Sequence, residues 1–108
     1  MIRLFTSDSC ALHVVPNGFP ELPERLSGVL SRFADTDWPI ERVAGHAAAR
    51  QVASEVHDPI YLQRLEDAVA SGAGWLDSGD NPLSPGTWKA AWGSVDATLA
   101  AVDWVLAG

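Results

Sequence analysis

Cysteine is nearly missing: Cys10 is the one thiol in 108 residues, so no internal disulfide can form and the chain suits a reducing cytoplasm. Basic residues are also scarce. Seven Lys and Arg stand against fourteen Asp and Glu, a formal net charge of −7. That balance argues against a nucleic-acid partner and against electrostatic adhesion to an anionic membrane, since both depend on clustered Lys and Arg. No apolar run approaches the ~20 residues needed to span a bilayer. The opening Ile2-Arg3-Leu4-Phe5 is too short for a secretory signal. There is no internal repeat, low-complexity tract or like-charge block. The phosphate-cradling patterns G-x-x-x-x-G-K and G-x-G-x-x-G are missing, as is the G-x-S-x-G setting of a serine nucleophile. What remains is an acidic chain, 47% hydrophobic, of a size for one domain and expected in the cytoplasm.

The pattern along the chain is α/β. Ile2 to Phe5 reads as a buried strand. Residues 6–23, with Pro16, Asn17-Gly18, Pro20 and Pro23, read as a shaped loop. Pro23-Glu24 opens a helix whose stripe is Leu26, Val29, Leu30 and Phe33, ending at Asp35-Thr36-Asp37. Trp38 to Val43 reads as a second strand. Ala47 to Val56 reads as a short helix with Val52 and Val56 on one face. Asp58 caps a further helix with Pro59 at its first position, a stripe of Tyr61 or Leu62, Leu65 and Val69, and Gly72 at its end. Residues 72–83 form a second loop, and Ser84-Pro85 begins the longest helix. Its expected stripe is Trp88, Ala91, Trp92, Val95, Leu99, Val102 and Leu106. Gly93 inside that helix points to a close neighbour. Two strands do not make a covered parallel sheet, so the chain reads as the front portion of a larger α/β domain.

Few residues offer chemistry. Cys10 and His13 have C-x-x-H spacing, half of a zinc site with no second half; the plainer reading is a buried thiol beside a loop histidine. His57-Asp58 is a His-Asp pair of the kind used in metal-dependent phosphohydrolases, and His46 and Asp80 are the available partners. The simpler account of His57 is a helix-end ring bonded to backbone, and capping alone accounts for Asp58. Asp77 and Asp80 share a Gly-rich loop, where carboxylates are mostly solvated turn formers. Trp88, Trp92 and Trp104 read as core or interface.

Several stretches taken together resemble a known family. His13 with Gly18-Phe19-Pro20-Glu21-Leu22-Pro23-Glu24-Arg25-Leu26 resembles the H…G-H-P-E-x-P-x-R-L opening of the zinc-dependent histone deacetylases and acetylpolyamine amidohydrolases. Val56-His57-Asp58-Pro59-Ile60-Tyr61-Leu62 resembles the V-H-x-x-Y-L landmark, and residues 76–88 resemble the substrate-rim loop D-x-D-T-x-x-S-P-G-T. Ala97 to Gly108 resembles the A-x-x-A-V-D-x-V-L-x-G that closes the helix. Phe19 departs from the commonest family residue, His, although Phe also occurs in bacterial-type relatives.

The resemblance implies an arginase-like, mostly parallel three-layer α/β domain, of which residues 1–108 are the helix-rich amino-terminal portion. It implies hydrolysis of an acetylated amine or acetyl-lysine, with zinc as Lewis acid and a histidine pair moving protons. It also implies that the catalytic and zinc motifs lie beyond Gly108, so no catalytic residue, zinc ligand or bound zinc is expected in this chain and the remainder of the domain is its expected partner. At the matched positions it implies a rim role for Asp80, or alternatively Asp77, in accepting substrate backbone N–H groups. Arg25 falls beside the internal channel, with a helix-start ion pair as the plainer reading. His57 and Tyr61 fall on structural landmarks. Two other readings stand beside this one: a self-contained acidic α/β interaction module without catalysis, and a small His-Asp metal hydrolase.

Overall fold

The computed structural model describes residues 1–45 and 49–108. The sequence expectation for Ala47 and Ala48 as helix, and for His46 as a metal partner, lies outside the described residues. The apolar run at the amino terminus forms β1 (Ile2–Thr6), which pairs in parallel with β2 (Ile40–Ala44), Ile2 opposite Ile40 and Thr6 opposite Ala44. Between them, the loop expected at 6–23 contains a 3-10 turn at Asp8–Leu12, and α1 (Pro23–Ala34) starts on its proline. The chain continues through α2 (Ala49–Val56), α3 (Pro59–Ala70) and α4 (Thr87–Leu106). The chain is therefore mixed α/β, with four α-helices and one two-stranded parallel sheet among the described residues. None of these helices is long and apolar enough to cross a membrane.

Local chemistry accounts for the helix ends. The Asp58 carboxylate accepts the Ile60 N–H at 2.8 Å, and Pro59 needs no donor at the first position. At the other end of α3 the Gly72 N–H donates to Val69 O and the Ala73 N–H to Ala68 O, a Schellman closure. The long helix starts at Thr87, not at Ser84-Pro85. Residues 84–87 form a turn in which the Thr87 side-chain oxygen accepts the Ser84 N–H at 2.8 Å.

Helix packing departs from the hydropathy pattern. On α4 the buried residues are Ala90, Gly93, Ala97 and Ala100, while Trp88 and Trp92 are half-buried and Val102 and Leu106 are exposed. The expected stripe of large residues is therefore not the buried one. Small residues win because this face lies directly on the 3-10 turn and β1: a side chain at Gly93 would collide with the hydroxyls of Ser7 and Ser9. That close approach is the one Gly93 signalled. On α2 the buried residues are likewise Ala49 and Ala53, and Val56 is 75% exposed, so the expected Val52–Val56 face is not the covered one. No residue of α1 or α3 is fully buried, and Val29 of the α1 stripe is 53% exposed.

The chain exposes 7358 Å². A folded monomer of its mass exposes about 5,800 Å². Its radius of gyration, 15.5 Å in a slab of 43 × 33 × 17 Å, also exceeds the roughly 13 Å of a compact domain of this length. Large apolar side chains contribute to that exposed surface, among them Val29, Val56, Ile60, Val105 and Leu106.

Candidate functional site

Residues 72–83 form a hairpin. Trp75 and Pro82 make an isolated antiparallel bridge, the Leu76 N–H donates to Asn81 O at 2.9 Å, and the Leu83 N–H donates to Gly74 O at 2.8 Å. Leu76 is buried and fixes the base, and Trp75 lies against Phe19 with ring centroids 5.7 Å apart. Phe19 is thus an apolar support for the hairpin.

The hairpin presents its two carboxylates differently. Asp77 adopts φ 65°, a left-handed conformation that Asp tolerates, and its carboxylate accepts a hydrogen bond from Arg64 Nη2 on α3. Asp80 is exposed and its carboxylate has no partner among the described residues. Arg64 itself lies 5.9 Å from the Tyr61 ring centroid, within cation–π range, and the Tyr61 ring lies 5.8 Å from that of His57. His57, Tyr61, Arg64 and Asp77 therefore form one line of contacts running from the V-H-D-P-I-Y-L segment to the hairpin tip. The plain expectation for His57, a ring bonded to backbone, gives way to a ring packed on Tyr61. Arg64 escaped the sequence reading. Its one available signal was its place three residues after Tyr61, which puts both side chains on one face of α3.

Arg25 is exposed near the start of α1, and its Nη1 reaches Pro20 O at 3.5 Å. The ion pair considered as its plain role is not formed among the described residues. That contact instead turns the Arg25 side chain back toward the Gly18–Pro23 segment.

His13 meets the Ser84-Pro85-Gly86-Thr87 turn. Its Nδ1 lies 2.7 Å from Thr87 Oγ1, the Val14 N–H donates to Ser84 Oγ at 3.0 Å, and Ser84 Oγ donates to Leu12 O at 3.4 Å. Gly86 leaves no room for a side chain against the Leu12 carbonyl. Two motifs 70 residues apart are thereby joined, and the joint is structural. Beside it is a cleft of about 350 Å³ bordered by Cys10, His13, Glu21 and Ser94. The Cys10 thiol points to Ala90 O at 3.8 Å, and desolvation by burial raises its pKa above the ordinary value. That environment suits a packed thiol and not a reactive thiolate.

The carboxyl ends of the parallel strands border a second cleft, of about 340 Å³, with Thr6, Asp8, Arg42, Gly45 and Asp96 on its walls. Arg42 spans it, donating to Thr6 Oγ1 at 3.1 Å and to Asp8 at 3.4 Å. Open parallel sheets bind ligands at this end, and that rule is the signal by which the cleft could have been anticipated.

No group of three His, Cys, Asp or Glu side chains converges among the described residues. His13 is engaged by Thr87 and His57 packs on Tyr61, so neither completes a C-x-x-H or His-Asp site. These residues can position, brace and accept hydrogen bonds.

The comparisons with known proteins agree with the motif pattern. No curated protein matches the chain. The model of the histone deacetylase domain matches residues 19–108, from the Phe19 support through the 72–83 hairpin to the end of the long helix. With most of its length inside that match, the chain belongs to the histone deacetylase family.

Proposed function

We propose that the chain is the amino-terminal segment of a zinc-dependent amidohydrolase that removes acetyl groups from acetyl-lysine or acetylated amines, and that it is not catalytically complete by itself. The domain match over residues 19–108 carries this reading. The uncovered surface supports it: a two-stranded parallel sheet and large apolar side chains on α1, α3 and α4 are what a larger, arginase-like sheet would cover. The remainder of the deacetylase domain is the proposed partner and supplies the zinc ligands. The acidic balance and lone thiol support a cytoplasmic protein with no nucleic-acid or membrane partner.

In this reading Asp80 is the substrate contact. A free carboxylate at a hairpin tip accepts two backbone N–H donors of an extended substrate, each a charge-assisted bond of ~1.5–3 kcal/mol. Asp77, already held by Arg64, is the weaker candidate. Arg25 borders the channel side, and His57 and Tyr61 support α3 and the rim.

The test uses the 108-residue chain and the same chain continued through its downstream reading frame. The chain alone turns over no acetyl-lysine peptide or acetylpolyamine and holds no stoichiometric zinc. The extended protein should hydrolyse these substrates and hold zinc. In it, Asp80→Ala lowers kcat/KM for a peptide about tenfold or more while zinc content stays unchanged. Stoichiometric zinc in the 108-residue chain, or an extended protein without amidohydrolase activity, would overturn the reading.

A further inference from the structure

We propose that Arg64 is a positioning residue that fixes the rim hairpin and leaves Asp80 free to meet an extended peptide backbone; the substrate role rests on the deacetylase reading above. The hairpin base is held by its own backbone bonds between Leu76 and Asn81 and between Leu83 and Gly74. At the tip, among the described residues, the tether from outside the hairpin is the Arg64–Asp77 ion pair. Arg64 is well placed for that task. It projects from a twelve-residue helix closed by Asp58 at one end and by Gly72 at the other. Its guanidinium is also in range of the Tyr61 ring, with the His57 ring behind. Holding Asp77 in its left-handed turn sets the direction of the three residues that follow. The rim's two carboxylates therefore divide the work: Asp77 is consumed by the brace, and Asp80 keeps its acceptor oxygens.

Both partners of the pair are about half exposed, so solvent screens the brace and it tunes the tip without holding the fold together. Arg64→Gln and Asp77→Asn should each speed amide exchange at Asn81, whose N–H bonds to Ser78 O at 3.1 Å, by about threefold. The two together should be no faster than either alone, because they break the same link. Arg64→Lys, which keeps the charge, should restore slow exchange. Exchange at Ala97 on α4 should not change, which separates a loosened tip from a damaged fold. In the extended protein, Arg64→Gln should raise KM for an acetyl-lysine peptide about threefold with kcat retained, and Lys should restore it. A small acetylated amine without backbone amides should show no change.

Additive exchange effects, an unresponsive Asn81 amide, or equal losses on both substrates would overturn the proposal. If the exchange results hold while the unsubstituted extended protein hydrolyses neither substrate, the brace stands and the deacetylase reading falls.

Discussion

The two ends of α4 solve opposite problems. Its stretch from Ala90 to Ala97 presents Ala90, Gly93 and Ala97 to the 3-10 turn and β1, and these small residues let backbones meet. Its last turns present Val105 and Leu106, which are 68% and 79% exposed, and Trp104, which is 45% exposed although Arg3 and Phe5 lie against it. In this chain, closeness of packing and bulk of side chain run in opposite directions. The tight seam is made by what is absent from the helix surface, and the large apolar groups of the last turns lie on faces that the described residues leave largely uncovered.

The largest break in that contrast should come from filling the seam. Gly93→Val pushes methyl groups into Ser7 and Ser9 and should cost about 3 kcal/mol, read as a lower midpoint of chemical denaturation. Thr87→Val keeps the shape but deletes the oxygen that meets His13 and the Ser84 N–H. It should cost about 1.5 kcal/mol by the same measurement, with the amides of residues 12–14 exchanging faster.

A third measurement uses Cys10 as a reporter on the seam. Burial raises its pKa, so the folded chain holds the thiol protonated at pH values where the unfolded chain has begun to ionise it. The unfolded state then binds fewer protons, and this contribution to stability is present below the ordinary thiol value and is lost as pH rises through the raised one. Alkylation at pH 8 should be several-fold slower for the folded chain than for the chain in denaturant, and Gly93→Val should remove part of that protection. Equal rates in folded and denatured chain would show that the seam does not shield the thiol.

The smallest effect on stability belongs to the outer end. Val105→Ser with Leu106→Ser should move the unfolding free energy by less than about 0.5 kcal/mol, since neither side chain has cover to lose. The same pair should shift sedimentation toward monomer, because exposed apolar patches drive association. A large loss of stability would mean that the outer end packs as tightly as the seam.

The order of elements was legible in the sequence because local chemistry sets it. Pro23, Asp58-Pro59 and Gly72 act within a few residues of themselves, and each marks a helix end that the structure contains. The buried face of α4 was not legible from hydropathy. The pattern weights Trp88, Trp92 and Val95, whereas the seam depends on Ser7 and Ser9, some 80 residues away in the chain. Gly93 alone carried a hint of it. The candidate site divided in the same way. Asp77 and Asp80 could be picked out as a pair, but the difference between them comes from Arg64, and no spacing rule connects position 64 to position 77. The 3-10 turn at Asp8–Leu12 falls inside the segment the sequence reads as a shaped loop: its local bonds, such as Cys10 N–H to Ser7 O, leave no hydropathy period, and its links to Lys89 O and Ala90 O come from α4.

The seam between the 3-10 turn and α4 also sets a clock. Ser9 and Cys10 find their acceptors 80 positions later, so the chain must be made through Ala90 before the first turn can dock. Until then the strand paired with β1 among the described residues is β2, and a two-stranded parallel ribbon has little reason to persist. Contacts of such long sequence separation are slow to close, and strands left waiting are open to pairing with other chains. The nascent segment is therefore most vulnerable to aggregation over the stretch of synthesis between β2 and α4, and a holding chaperone that binds apolar strands would act on it in that interval.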